Sequence, residues 1–296
     1  MRIITYHYNR QQRLAVMLGD RVILPLLSGD WPADVNSVLA LIERGTAMVA
    51  RLQQLVDDAA PACQMPFDPV LLAAPIPRAR RNVICLGWNY ADHAEESAAA
   101  SKREYTPPKY PVVFTKSPTS ITGPYTDIPF DANLSSQIDW EVELGVIIGA
   151  GGRGIKPENA LRHVFGYTVM NDISARDIQS RHKQFFLGKS LDKSSPMGPS
   201  IVTADEIPDP QALWLRSWVN GVLKQESHTA RQIFDVATTL SILSRGMSLE
   251  PGDIIATGTP SGVGFARKPP EFLGPGDVVE CEVEEIGRLK NRIVQQ

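Results

Sequence analysis

Apolar residues alternate with polar ones at the start of the chain, a pattern that is typical of β-strands. The alternating positions form three short runs: Ile4, Tyr6 and Tyr8; Leu14, Val16 and Leu18; Val22, Leu24 and Leu26. These runs predict a small antiparallel sheet. Between residues 35 and 56 the apolar positions are spaced three or four apart instead, which predicts helices, with Gly45 ending the first of them.

Five prolines between Ala59 and Arg81 interrupt both patterns and favour an extended connection. We therefore predict a small N-terminal α+β domain over residues 1–75 and a larger domain over residues 76–296.

Strand patterns dominate the larger domain, and helical spacing is confined to three segments. The predicted strands are Asn82–Leu86, Val112–Thr115, Glu141–Ile148, Gly166–Met170, Ile201–Val202, Leu213–Val219, Asp253–Thr257 and Val278–Val283. The predicted helices are Asp92–Ala100, Ser174–Gln184 and Ala230–Ser244. Because strands and helices do not alternate regularly, the pattern predicts an α+β, β-rich fold with a mixed, mostly antiparallel sheet.

Composition excludes several classes of function. Hydrophobic residues make up 43% of the chain and charged residues 21%, as in an ordinary globular protein. No apolar stretch approaches the roughly 20 residues that span a bilayer, so we expect no membrane association. The net charge is −3 and no basic run is present, which argues against nucleic acid as a partner. The three cysteines lack metal-site spacing and predict free thiols in a reducing cytoplasm.

Three carboxylates form a candidate metal site. Glu141 and Glu143 are two residues apart on a predicted strand, so they point to the same face. Apolar neighbours make that strand look buried, although a bare Glu-x-Glu pair is more often a solvated strand face. Asp172 follows the predicted strand Gly166–Met170 and could equally be a turn residue. Three carboxylates without a histidine or cysteine ligand suit Mg²⁺ or Mn²⁺.

A second candidate is a histidine–carboxylate pair on the helix predicted to begin near Asp92. His93 and Glu96 are three residues apart and share a helical face, so they could act as a general base. The alternative is an exposed pair, with Asp92 and Glu95 forming a capping box. The following segment, rich in alanine, serine, lysine and proline, predicts a movable lid over residues 97–110.

Two cations complete the candidate chemistry. Arg176 is in the first turn of a predicted helix whose capping box would be Ser174 and Asp177, and Lys189 lies between Gly188 and Ser190. Taken singly, each cation could be a surface charge. Together, near a divalent ion, they would bind a small anionic 2-oxo acid and stabilise an enolate.

Five motifs in this order resemble the fumarylacetoacetate hydrolase superfamily. They are LGWNYADHAEE (86–96), DWEVELGVIIG (139–149), NDISARDIQ (171–179), GKS (188–190) and TGTPSGVG (257–264). The resemblance covers about residues 80–295 and is to the shorter bacterial type, since no further acidic ligand can be placed. It implies a mixed β-roll catalytic domain, a homodimer and one Mg²⁺ or Mn²⁺ per subunit.

The resemblance also implies a role for each matching residue. Glu141, Glu143 and Asp172 would be the metal ligands, and His93 with Glu96 the lid dyad. Lys189 would stabilise the enolate, while Arg176, Gln179 and Thr259 would bind the substrate.

The implied reaction is hydrolysis of a carbon–carbon bond in an acylpyruvate or other 2,4-dioxo acid, releasing a pyruvate enolate, as in aromatic catabolism. Oxaloacetate decarboxylation, or isomerisation and tautomerisation, would use the same site and stands second. A third alternative is a binding protein without catalysis.

Overall fold

The computed structural model describes residues 1–58, 61–100, 104 and 106–296. Its strands are β1 (Arg2–Tyr8), β2 (Gln11–Leu18), β3 (Arg21–Ile23), β4 (Gln64–Pro66), β5 (Leu72–Ala73), β6 (Val83–Gly87), β7 (Val112–Lys116), β8 (Ile121–Thr122), β9 (Ile128–Phe130), β10 (Ile138–Asp139), β11 (Val142–Ile148), β12 (Val164–Asn171), β13 (Ser174–Ala175), β14 (Ser195–Thr203), β15 (Trp214–Val219), β16 (Val222–His228), β17 (Ile254–Ala256), β18 (Val278–Val283) and β19 (Gly287–Gln295). Its α-helices are α1 (Val38–Arg44), α2 (Thr46–Asp58), α3 (Ala91–Ala100), α4 (Pro157–Ala160), α5 (Arg176–Arg181), α6 (Phe186–Lys189) and α7 (Val236–Ser244).

A twelve-stranded sheet forms the centre of the molecule. Its main path runs β4-β3-β2-β1-β14-β12-β11-β17-β6-β7, with β5 added to β1 and β8 added to β14. Among the described pairs, β6–β17 and β8–β14 in this sheet are parallel and the rest are antiparallel. The mixed, mostly antiparallel, β-rich α+β fold predicted from the sequence is confirmed.

The central strands of this sheet are buried on both faces. On one face, Val142, Leu144 and Val146 belong to a core shared with Leu215 and Val279 of the second, five-stranded sheet, which runs β16-β15-β18-β19-β9. The opposite face is covered in part by α1 and α2. Every residue of β11 is buried, which is why the sequence reads as a nearly continuous apolar run there.

The N-terminal strands extend the same sheet. Arg2 and Ile3 of β1 pair with Val202 and Ile201 of β14, so the sheet continues from one predicted domain into the other. Side chains of α1 and α2 also share a core with β11, β12 and β17. The boundary near residue 75 and the homodimer both stay predictions.

Two predicted helices are shorter than expected. The helix predicted over Ala230–Ser244 begins at Val236, because Asp235 caps it by accepting a hydrogen bond from Thr238 N at 2.6 Å. The helix predicted over Ser174–Gln184 spans Arg176–Arg181, since Ser174 instead pairs with Asp139 in a two-stranded ribbon of β10 and β13.

All three cysteines are free and buried. Within the described residues, no helix has the length and apolarity to cross a membrane.

Candidate active site

Antiparallel pairing of β11 and β12 brings three carboxylates together at one end of the central sheet. Asp172 N donates to Glu141 O at 2.9 Å, so these two residues lie opposite each other. Glu143 lies opposite Met170, diagonally across from Asp172 and on the same face. One oxygen from each of the three side chains lies within 4.8 Å of the others, and all three residues are buried. Glu141, Glu143 and Asp172 form the carboxylate cluster.

Lys189 contacts two members of the carboxylate cluster. Its Nζ donates to Glu141 Oε2 at 2.8 Å and to Asp172 Oδ2 at 2.7 Å. Burial opposes the charged form of this lysine, but the charges of Asp172 and Glu141 outweigh burial and raise its pKa. Lys189 Nζ also lies 5.0 Å from the centroid of the Phe114 ring. The ammonium is therefore fixed beside the carboxylates by two ion pairs.

Lys116 is a functional candidate that the sequence patterns did not reveal. It is 0% exposed, and its Nζ donates to Asp172 Oδ1 at 2.6 Å. Two backbone carbonyls, those of Ile173 and Ser194, accept the remaining hydrogen bonds at 2.9 and 3.1 Å. Burial lowers its pKa, and Asp172 opposes that change. The sequence signal that could have revealed a buried Lys116 is its position directly after the apolar strand Val112–Thr115.

The two glutamates of the cluster have pKa values shifted in opposite directions. Burial, followed by the charges of Asp172 and Glu141, raises the pKa of Glu143 well above its ordinary value. Burial acts in the same direction on Glu141, but Lys189 and Arg176 outweigh it and lower its pKa strongly. Glu143 lies beside two other carboxylates and has no ion pair with a cation among the described residues, so its protonated form is favoured in the metal-free protein.

The donor set fits a hard divalent cation. Glu143 Oε2 accepts a hydrogen bond from Gly258 N at 2.8 Å, whereas Oε1 is buried and has no hydrogen-bond partner among the described residues. A buried carboxylate oxygen without a donor is costly unless a cation contacts it. Three carboxylates with oxygen ligands only suit Mg²⁺ or Mn²⁺. The carboxylate cluster could thus hold one such ion.

Arg176 forms the wall next to Glu141. Its Nε donates to Asp139 Oδ2 at 2.8 Å, and its Nη2 lies 2.6 Å from Glu141 Oε1 in an ion pair. Its Nη1 donates to Gln179 Oε1 at 3.2 Å, and the guanidinium lies 4.5 Å from the Phe265 ring centroid. Arg176 and Gln179 are therefore adjacent, and their predicted role in binding substrate stays a prediction.

The capping box predicted at Ser174 and Asp177 is wrong. Ala175 is the N-cap residue and makes no side-chain cap hydrogen bond. Ser174 Oγ donates to Asp172 O at 2.9 Å, and Asp177 accepts from Ser135 Oγ at 2.6 Å. Both side chains bond to neighbouring loops because the short ribbon of β10 and β13 keeps Ser174 outside the helix.

His93 and Glu96 lie on one face of α3, at the edge of the site. The distance from His93 Nδ1 to Glu96 Oε2 is 3.6 Å, too long for a hydrogen bond. Both carboxylate oxygens of Glu96 instead accept from Gly262 N at 3.0 Å. His93 Nδ1 is buried and has no hydrogen-bond partner within the described part of the chain. The two side chains are neighbours, but Glu96 is positioned by the backbone of the Thr257–Gly264 motif.

Thr259 is held against β11 by a buried amide. Thr259 Oγ1 donates to Val142 O at 2.8 Å and accepts from Gln225 Nε2 at the same distance. Gln225 also accepts from Val142 N at 3.1 Å. Gln225 was not singled out from the sequence, because a polar residue on a strand gives no indication of burial without its partner strand.

A cavity of about 350 Å³ connects these groups to solvent. Its lining residues are Leu86, Gly87, Trp88, His93, Ser97, Phe114, Glu141, Arg176, Gln179, Ser180, Lys183, Phe185, Lys189, Thr259 and Phe265. The structure thus brings six of the nine predicted site residues to one cavity. Glu143 and Asp172 are fully buried next to Glu141, and Glu96 is partly exposed next to His93. The predicted lid, residues 97–110, falls partly on residues 101–103 and 105, which lie outside the described residues.

Comparison with known proteins identifies the family to which the chain belongs. A family model, "Fumarylacetoacetate (FAA) hydrolase C-terminal", matches residues 82–294. The chain is 44% identical over 264 residues to oxaloacetate tautomerase YisK of Bacillus subtilis (strain 168), covering 87% of this chain and 86% of that protein. It is 42% identical over 267 residues to the mitochondrial oxaloacetate tautomerase Fahd2a of Rattus norvegicus, covering 89% and 81%.

Solved structures support the same family assignment. A fumarylacetoacetate hydrolase from psychrophilic Exiguobacterium antarcticum superposes with a TM-score of 0.84 at 43% identity, over 100% of both chains. A maleylpyruvate hydrolase from Sphingobium sp. SYK-6, in complex with manganese(II) and pyruvate, gives a TM-score of 0.78 at 28% identity, over 100% of this chain and 99% of that one. The chain therefore belongs to the fumarylacetoacetate hydrolase family.

Proposed function

We propose that this protein is a divalent-metal-dependent oxaloacetate tautomerase, which interconverts the enol and keto forms of that 2-oxo acid. One observation carries the proposal: the carboxylate cluster and the cations Arg176 and Lys189 meet at one small cavity. Relatives named as oxaloacetate tautomerases, at 44% and 42% identity over most of the chain, support this reaction over the others that the site could perform. Acylpyruvate hydrolysis, which the sequence placed first, becomes the second candidate.

The binding residues have distinct tasks. Glu141, Glu143 and Asp172 would hold Mg²⁺ or Mn²⁺, which when bound polarises the 2-oxo carbonyl as a Lewis acid. Lys189 and Arg176 are cations at the cavity surface, where they bind the anionic end of the substrate and oppose negative charge that develops on its oxygen. Both are buried and fixed by ion pairs, so little reorganisation accompanies the reaction.

His93 is the base that fits the proton transfer. Tautomerisation moves one proton between C3 and the enol oxygen: the base removes it from C3, and the enolate oxygen then takes up a proton. His93 lines the cavity, and an imidazole accepts and returns a proton near neutral pH. Glu96 Oε2 lies 3.6 Å from His93 Nδ1, beside the proposed base. No water needs to be activated in this reaction.

Hydrolysis of an acylpyruvate is supported by a different observation. Glu96 is held beside His93 by Gly262 N, an arrangement that could orient the imidazole to remove a proton from water. A related solved structure, 28% identical, is a maleylpyruvate hydrolase. This reaction requires the pair to close from 3.6 Å to hydrogen-bonding distance.

The decisive experiment follows the ultraviolet absorbance of enol-oxaloacetate in the presence of the purified protein. We expect Mg²⁺- or Mn²⁺-loaded protein to speed its conversion to the keto form, and EDTA-treated protein to give the uncatalysed rate. Parallel assays for pyruvate from oxaloacetate and for cleavage of an acylpyruvate separate decarboxylation and hydrolysis. Acylpyruvate cleavage without any acceleration of tautomerisation would overturn the proposal in favour of the second candidate.

Replacing the proposed base tests the role of His93. We expect His93→Gln to reduce tautomerisation by about 10²- to 10⁴-fold, the usual contribution of a positioned acid–base group, and to leave Mn²⁺ affinity unchanged. His7→Gln is the matched control, since His7 lies on β1 and is absent from the cavity lining. An equal loss of turnover and of metal binding in His93→Gln would contradict the assignment.

A further inference from the structure

The cavity lining includes a cation, Lys183, that has no partner among the described residues. Arg176 and Lys189 each form an ion pair with a carboxylate of the site. Lys183 also lines the cavity, and no ion pair or hydrogen bond to its side chain occurs within the described residues. Among the described residues, no carboxylate neutralises its charge, so Lys183 could pair with an anionic ligand in the cavity.

The backbone fixes the position of Lys183. Its φ is 60°, in the left-handed region that glycine adopts without strain and a lysine adopts at a cost. Gln184 N donates to His182 O at 2.6 Å in the same turn. At Gly188, an added Cβ would lie 2.5 Å from Gln179 N, so α5 and α6 pack against each other directly. A tight α5–α6 hairpin therefore holds this lysine at the cavity rim.

The surroundings of Lys183 at the rim are largely aromatic. The rings of Trp88 and Phe185 are 6.0 Å apart between centroids, and those of Phe114 and Phe185 are 5.5 Å apart. Such rings cannot neutralise an anion. The lining also includes Ser97 and Ser180, whose side chains carry no charge. We call Trp88, Lys183 and Phe185 the mouth of the cavity.

We propose that Lys183 binds the distal carboxylate of a dicarboxylic 2-oxo acid and thereby makes the site prefer diacids to monoacids of the same length. The inference rests on the proposed function, in which the 2-oxo end of the substrate lies at the carboxylate cluster. The α5–α6 hairpin then supplies cations for both ends of the substrate, Arg176 and Lys189 for one end and Lys183 for the other. A charge-assisted hydrogen bond from the ammonium provides the discrimination.

The test compares two ligands that differ only in the distal group. Initial rates give KM for oxaloacetate, and competition gives Ki for 2-oxobutanoate, both with the Mn²⁺-loaded protein. In Lys183→Met we expect KM to rise about tenfold or more, with kcat and the Ki of 2-oxobutanoate unchanged. Lys183→Arg should restore most of the lost affinity. Equal changes for both ligands, or no change for either, would overturn the proposal.

Two further variants control for backbone and charge. Lys193 is also exposed and has φ 61°, but it is absent from the cavity lining, so Lys193→Met should leave KM and Ki unchanged. Lys183→Gly removes the charge and relieves the left-handed strain. It should therefore be at least as stable as the wild type and still show the raised KM. A wild-type KM in Lys183→Gly would contradict the role of the ammonium.

A binding measurement separates this proposal from the proposed function. Calorimetry on the Mn²⁺-loaded protein compares 2-oxoglutarate with 2-oxopentanoate, which share chain length and do not require turnover. Preference for the diacid that disappears in Lys183→Met supports the role of Lys183 even if oxaloacetate tautomerisation is not observed. If the protein catalyses tautomerisation but binds 2-oxoglutarate and 2-oxopentanoate equally well, the proposed function is supported and the role of Lys183 is contradicted.

Discussion

The carboxylate cluster and the mouth of the cavity carry their charges in opposite ways. In the cluster, every carboxylate contacts a cation or a backbone amide, and Glu143 and Asp172 are 0% exposed. At the mouth, Lys183 has no charged partner among the described residues, and Trp88 is 36% exposed. Buried charges interact strongly because water screens them little, whereas exposed charges are weak until a ligand displaces water. The cluster is suited to holding an ion, and the mouth to selecting a ligand.

The position of the two regions in the fold explains this difference. The cluster lies on β11 and at the end of β12, central strands whose backbones are paired on both sides. The mouth lies on connecting residues: Trp88 follows β6, and Lys183 and Phe185 lie between α5 and α6. Rigid strands fix oxygen positions to the accuracy that a metal ion requires, and substitutions at connecting residues leave those positions intact.

The largest effect is expected from a change within the cluster. Glu141→Gln removes a carboxylate that both cations contact. We expect Mn²⁺ affinity to fall by at least about 100-fold, since even partners outside the ligand set contribute 10- to 100-fold, and turnover to be lost. Calorimetric Mn²⁺ titration measures the change. Glu226→Gln, at an exposed ion pair with Arg216, is the control. If Glu141→Gln bound Mn²⁺ as tightly as the wild type, the carboxylate cluster would not be the metal site, and its contrast with the mouth would fail.

A smaller effect, on stability, is expected at Lys116. In Lys116→Met the free energy of unfolding of the metal-free protein should fall by about 3–5 kcal/mol, because Asp172 and two carbonyls lose a buried donor. Urea denaturation measures it. The matched control is Lys290→Met, whose ammonium is exposed and 3.5 Å from Glu280; its change should stay within about 0.5 kcal/mol. Similar values for the two variants would show that burial does not strengthen this pair.

The smallest expected effect is a pH dependence from Glu143. Its raised pKa means that the folded, metal-free protein retains a proton that the unfolded chain releases near its ordinary value, about 4.3. Stability from this group is therefore full below that value and is lost as pH rises toward the raised folded pKa. Thermal melting of the metal-free protein between about pH 5 and about pH 8 should show this decline.

Two comparisons sharpen the pH experiment. Glu143→Gln should flatten the decline, because it removes the titrating carboxyl, and saturating Mn²⁺ should flatten it in the wild type by stabilising the ionised form. Lys183→Met, a change at the mouth, should leave the slope unchanged. An identical slope in the wild type and Glu143→Gln would contradict the assignment of this dependence to Glu143.

Local periodicity was sufficient to predict much of the fold. Alternation predicted the strand Val278–Val283 to the residue, and the apolar run at Glu141–Ile148 indicated a central strand. The start of α7 was predicted too early. Helical spacing of apolar residues begins at Ala230, but Thr229–Arg231 form a short 3₁₀ turn and α7 begins only at Val236. Periodicity describes which residues face a core, whereas hydrogen bonds at Asp235 decide where the helix begins.

The site was predictable where its residues are near one another in sequence. The two-residue period placed Glu141 and Glu143 on one face, and Asp172 was expected where its strand ends. Lys116 was missed because its partners lie at least 56 residues away in the chain. Gln225 was missed because Thr259 and Val142, which it joins, lie 34 and 83 residues away. The Ser174–Asp177 capping box was a local pattern that a tertiary pairing, Ser174 with Asp139, displaced. Long-range pairing is not visible in a single sequence.

The hydrogen bond from Gly258 N to Glu143 joins residues 115 positions apart. Contacts of such wide sequence separation form late in folding, since the intervening chain must first lose its conformational freedom. A nascent chain ending before Gly258 would contain all three acidic residues without the amide that orients the second glutamate. We therefore expect the ion to join a finished scaffold rather than to nucleate folding.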